Sequence, residues 1–149
     1  MKRTAVIVEI ISTLFVILFL YTGISKIMDY SIFKEQLAES PVLGPVAPVI
    51  AIGLPILEFL LVAGLLIPRW RLRAFYASTA LMVAFTIYIT ALMLFADHLP
   101  CSCGGVLAQL SWGEHIVFNS VYIVLGILGI ILERKIRNDY QHAHSIAST

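Results

Sequence analysis

Cys101 and Cys103 are the only cysteines in the 149-residue chain, and a single serine separates them. Any disulfide within one chain must therefore join these two. Closing a ring across one intervening residue is strained, and strained disulfides have high reduction potentials, so they pass oxidising equivalents on readily. As a structural staple the bond would do little, because cross-linking so short a loop removes little unfolded-state entropy. Pro100 fixes the backbone entering the pair, while Gly104 and Gly105 permit a sharp turn that leaves a sulfur approachable. The pattern reads as a redox-active dithiol. The alternative is a metal: Cys101, Cys103, His98 and His115 offer two thiolates and two imidazoles, a set suited to zinc or copper. The Cys-x-Cys spacing is tighter than that of the usual zinc knuckle, and the two histidines stand at opposite ends of the loop. A protonated His98 beside Cys101 would also favour that thiolate.

The second residue type out of place is an acid. Glu58 sits in the middle of a long apolar run, three residues after Pro55. A lone ionised carboxylate at that depth of a bilayer costs about 2.5–3.5 kcal/mol on insertion scales, so it must face other protein and find a partner. Lys26 is one candidate; Thr86, Tyr88, Asn119 and Tyr122 are others. Glu9, nearer the start of the chain, reads as a snorkelling residue or a partner for Arg71 or Arg73.

Four apolar segments must position these groups: about Ala5–Ile24, Val46–Ile67, Ala74–Ala96 and His115–Leu132. Each is long enough to cross about 30 Å of hydrocarbon as a helix. Prolines punctuate them: Pro41, Pro45 and Pro48 precede the second, Pro68 closes it, and Pro100 follows the third. Basic residues cluster at Lys2 and Arg3, in a turn holding Arg69, Arg71 and Arg73, and at Arg134, Lys135 and Arg137, with only Lys26 and Lys34 on the opposite side. The positive-inside rule then places both termini in the cytoplasm and the 97–114 loop outside. Lys2-Arg3 resembles the n-region of a signal peptide, but the apolar run is too long, Glu9 interrupts it and no small-residue cleavage site follows, so a retained helix is expected. The first outer loop predicts a short interfacial helix over 29–40, with Ile32, Phe33 and Leu37 on its apolar face. Gly53, Ala63, Gly64, Gly126 and Gly129 are candidates for close helix contact.

Composition agrees with this reading. With 60% hydrophobic and 13% charged residues, the chain is too apolar for a soluble domain, in which about a quarter of residues are charged. A net charge of +1 without a basic stripe gives no footprint for nucleic acid. The expected fold is all-α: an integral membrane four-helix bundle over residues 1–137 in a bacterial inner membrane. A polar, disordered cytoplasmic tail is expected over 138–149.

Tyr21-Thr22-Gly23-Ile24-Ser25-Lys26, Pro55-Ile56-Leu57-Glu58 with Gly64-Leu65-Leu66, and Cys101-Ser102-Cys103-Gly104 follow one another in the chain. Together, and in this topology, they resemble the MauE/DoxX family of redox-associated four-helix membrane proteins. The resemblance implies thiol–disulfide exchange by Cys101 and Cys103 with secreted clients or periplasmic thioredoxin-like proteins. It implies supporting roles for Glu58 and Lys26, to which His98, Gly104 and Gly105 add the loop's own chemistry. Its methylamine-utilisation members are required to mature a disulfide-rich enzyme subunit. Quinone-coupled disulfide oxidases relay electrons through a second cysteine pair. This chain has none, so a quinone acceptor would be reached directly or through a partner. The reading from another class is a non-enzymatic membrane subunit or chaperone that binds a metal or scaffolds a complex.

The topology is open to a direct measurement. A membrane-impermeant thiol reagent should label Cys101 and Cys103 in intact cells after mild reduction, and labelling that requires lysis would put the loop in the cytoplasm.

Overall fold

The computed structural model describes residues 2–40, 43–95 and 111–147, and all regular structure among them is helical. Four helices are long and apolar enough to cross a membrane. They are α1 (Lys2–Met28), α3 (Ala47–Leu66), α4 (Pro68–Phe95) and α5 (Trp112–Ala147), with a short α2 (Tyr30–Glu39) after the first. A single 3₁₀ turn, Gly44–Val46, leads into α3. α1 packs on α3 and α5, and α4 packs on α3 and α5, so the four long helices close into a ring with chain neighbours side by side.

The inward stripes follow helical periodicity. On α1, Val8, Ile11, Phe15 and Leu18 are buried, and continuing the three-and-four spacing reaches Thr22 and then Lys26. On α3 the stripe runs Ala47, Ala51, Pro55, Glu58, Leu61 and Leu65. Apolar residues facing lipid gain nothing by packing inward, so the helices associate through close van der Waals contact and interhelical polar bonds. Phe15 is fully buried at the centre. Its ring meets Phe75 at 6.2 Å and Tyr122 at 5.2 Å, both edge-to-face, the arrangement favoured by the ring quadrupoles. Gly126 and Gly129 of α5 let that helix close on Thr79 and Phe75 of α4. Gly64 does the same toward Ala74, whereas Gly53 faces open space and Ala63 is exposed, so neither makes the close contact expected of it.

One end of the bundle is locked by arginines. Arg71 pairs with Glu9 at 3.3 Å and donates from Nε to the carbonyl of Leu65, at the C-terminal end of α3. Arg137 pairs with Glu133 at 3.1 Å and donates to the carbonyls of Pro68 and Arg69. The basic clusters of α1, α4 and α5 therefore gather at this end, and Lys26 stands at the other.

Four further expectations need correction. Pro68 does not merely close the second span; it occupies the first position of α4, where a missing N–H costs nothing. Only Ile67 separates the two helices, so Arg69, Arg71 and Arg73 lie in the first turns of α4 and not in a loop. Residues 138–147 are helical, not disordered: α5 runs on to Ala147, since adding turns to a formed helix needs no new nucleus. In α2, Phe33 and Leu37 are buried against Ala47 and Ala51, but Ile32 is exposed, because only residues four apart share the packed face.

The helix contacts give opposite expectations for two glycines. A Cβ on Gly129 would stand 2.9 Å from the Phe75 ring, so Gly129→Val should destabilise the bundle by about 1–3 kcal/mol. Gly53→Ala meets nothing within 4 Å and should be neutral or stabilising. Thermal unfolding in detergent ranks them, and the reverse order would contradict this packing.

Candidate functional site

The α1 and α3 stripes bring Lys26 and Glu58 face to face. Lys26 Nζ lies 2.8 Å from Glu58 Oε1, and both side chains are almost wholly buried. The ammonium also donates to the carbonyl of Thr22 at 3.2 Å and sits 5.7 Å from the centre of the Phe33 ring. All three of its N–H directions thus meet an acceptor or an aromatic face. Thr22 Oγ1 donates to the same carboxylate oxygen at 3.0 Å. Thr22 lies one turn before Lys26 on the α1 stripe, so periodicity was the signal that could have marked it. The other carboxylate oxygen, Glu58 Oε2, is buried and accepts no hydrogen bond among the described residues. A Cβ on Gly23 would sit 3.4 Å from this oxygen and 3.2 Å from the Phe59 ring; the glycine leaves room beside it.

Of the other candidate partners for Glu58, Tyr88 donates to Ser40 Oγ at 2.8 Å, tying the end of α2 to α4. Thr86 bonds back to the Met82 carbonyl, and Tyr122 reaches the Leu14 carbonyl. Asn119 alone shares Glu58's surroundings. A chamber of about 70 Å³ lies between the helices, lined by Thr22, Lys26, Glu58, His115 and Asn119 among apolar groups that include Phe19, Met82 and Phe118. His115 and Asn119 are both deeply buried. They fall four residues apart on α5, so one helix face carries both into the chamber.

Cys101, Cys103, His98, Gly104 and Gly105 lie outside the described residues. The segment that carries them joins the end of α4 at Phe95 to the start of α5 at Trp112. His115 stands less than one turn inside α5, so the chamber and the cysteine-bearing connection belong to the same end of the bundle. No three His, Cys, Asp or Glu side chains converge among the described residues. His115 faces the chamber with Lys26 and Glu58.

The family model for methylamine utilisation protein MauE matches residues 4–132. The chain belongs to this family. The match spans all four crossing helices, including Lys26, Glu58, the Cys-x-Cys pair and the chamber, and it stops just before Glu133. No curated protein and no solved structure matches the chain.

Removing one partner of a buried ion pair strands the other's charge, whereas replacing both with apolar groups relieves it. Lys26→Met alone should therefore cost about 3–5 kcal/mol, and the double variant Lys26→Met/Glu58→Leu should recover most of that loss. Detergent stability of the two variants and of Glu58→Leu forms a double-mutant cycle. Strict additivity would mean that the pair is not coupled.

Proposed function

We propose that this MauE-family membrane protein is a thiol–disulfide redox protein of the bacterial cytoplasmic membrane, acting through Cys101 and Cys103 on the non-cytoplasmic side. The observation that supports it most directly is the buried Lys26–Glu58 pair with its adjoining chamber. It lies at the bundle end from which the Cys-x-Cys connection departs, opposite the arginine-locked end. Under the positive-inside rule the arginine end is cytoplasmic, which puts the cysteines in an oxidising compartment.

In the exchange, a thiolate of a periplasmic thioredoxin-like or client protein attacks one sulfur of the Cys101–Cys103 disulfide. The S–S bond breaks, a mixed disulfide forms and the second cysteine leaves as thiolate. The client's second thiol then resolves the mixed bond. The client gains a disulfide and loses two electrons and two protons; Cys101 and Cys103 gain both and become thiols. The Lys26–Glu58 pair takes no electrons. It fixes the outer end of α1 against α3 and so holds the frame from which the loop is hung. For re-oxidation we propose a lipid-borne quinone as the acceptor class, reached directly or through a partner protein, since the chain has no second cysteine pair.

Trapping separates this reading from a metal or scaffold role. With Cys103 as the resolving residue, Cys103→Ser should accumulate a reducible mixed disulfide with a client through Cys101 after acid quenching, read by intact mass. If neither Cys103→Ser nor Cys101→Ser traps a protein, and stoichiometric zinc or copper co-purifies with the wild type and is lost from both, the redox reading fails and a metal site replaces it.

A further inference from the structure

Two residues that line the same chamber each hold a buried polar atom, and the needs of these atoms are complementary. Glu58 Oε2 is an acceptor and Asn119 Nδ2 a donor, and among the described residues neither has a hydrogen-bond partner. Their residues are 5% and 3% exposed. Leaving such atoms bare costs about 1–3 kcal/mol each, so the chamber is built for an occupant that accepts from one side and donates to the other. Size decides what it is. About 70 Å³ is roughly half the cavity known to admit a benzene ring, too little to enclose a quinone ring, yet it is several times the 10–15 Å³ needed by one water. Charge narrows it further. Lys26 already balances Glu58, so an ionic occupant would have no counter-charge.

We propose that water held between Glu58 Oε2 and Asn119 Nδ2 makes the chamber a proton-carrying site coupled to the cysteine pair, a role that rests on the thiol–disulfide reading above. The titratable groups that face Glu58 are Lys26 from α1 and His115 from α5; α4 contributes only Leu81, Met82 and Phe85. The Lys26–Glu58 pair holds one exchangeable proton. When client exchange releases a thiolate, that proton leaves through the chamber water past His115 to the thiolate, and one of the two protons given up by the client dithiol replaces it. No further oxidant or reductant is needed for this step.

Asn119 and Asn138 are the only asparagines in the chain, and Asn138 is exposed. Selective ¹⁵N-labelling of asparagine side chains in the protein in lipid vesicles, with water-edited solid-state NMR, tests hydration directly. Rapid magnetisation transfer from water to the Asn119 amide is expected despite its burial, with Asn138 as the positive control. Transfer to Asn138 alone means a dry chamber and overturns the proposal. The rate at which dithiothreitol reduces the Cys101–Cys103 disulfide, measured in H2O and in D2O, tests the coupling. A solvent isotope effect in the wild type, with slower reduction and loss of that effect in both Glu58→Gln and Asn119→Leu, is expected. A rate and isotope effect unchanged in Asn119→Leu would sink the water path. If no Cys101–Cys103 disulfide forms at all, the thiol reading and the coupling fall together, while the NMR result still decides whether the chamber is wet.

Discussion

A lysine ammonium and a glutamate carboxylate 2.8 Å apart inside an apolar bundle constrain everything around them. Glu58 alone would cost about 3 kcal/mol at the middle of its helix on insertion scales, and Lys26 adds the cost of its own burial. Their mutual attraction at an effective dielectric near 20 is on the order of 5 kcal/mol, so attraction and desolvation roughly cancel. The pair therefore contributes little net stability and a great deal of register. Sliding α1 against α3 by one residue would separate the charges and expose both to hydrocarbon. The Thr22 carbonyl and the Phe33 ring meet the remaining directions of the ammonium, which draws α2 into the same arrangement.

The two ends of the bundle are held by different physics. At one end, Arg71 and Arg137 bond to backbone carbonyls at the α3–α4 junction and to Glu9 and Glu133, joining all four long helices through always-charged groups with several donors each. The middle is filled by aromatic packing, with Phe15 wedged among Phe19, Phe75 and Tyr122. At the other end the packing opens into a chamber edged by His115 and Asn119. The locked base leaves the opposite end less tightly filled, and there the buried Lys26–Glu58 pair fixes α1 against α3.

Much of this was legible before any coordinates. Four apolar runs long enough to span a bilayer admit only helices, since backbone groups in lipid must bond within their own segment. Glu58 announced itself by its cost. The chemistry of the Cys-x-Cys pair is local, so it too can be read from spacing alone. Less legible were the ends of elements. Pro68 reads equally as a stop or as a first helical residue, and the six residues after it carry charge that hides a helix start. The polar stretch after Arg137 has no apolar face to mark it as helix, yet it is continued from a helix already formed.

What the sequence determined by itself was therefore membership of a class: a MauE-family chain with four crossing helices, charge asymmetry between its ends and one dithiol. Which polar residues meet was decided by the tertiary structure alone. Glu58 had five plausible partners on three helices, and sequence spacing ranks contacts only within a helix. The choice of Lys26 and Thr22 over Thr86, Tyr88 and Tyr122 follows from which faces α1, α3, α4 and α5 present to one another, and that depends on where small residues such as Gly126 and Gly129 let the backbones approach. The chamber is likewise invisible in one dimension, because it is the space left where twelve side chains from four helices converge without filling it.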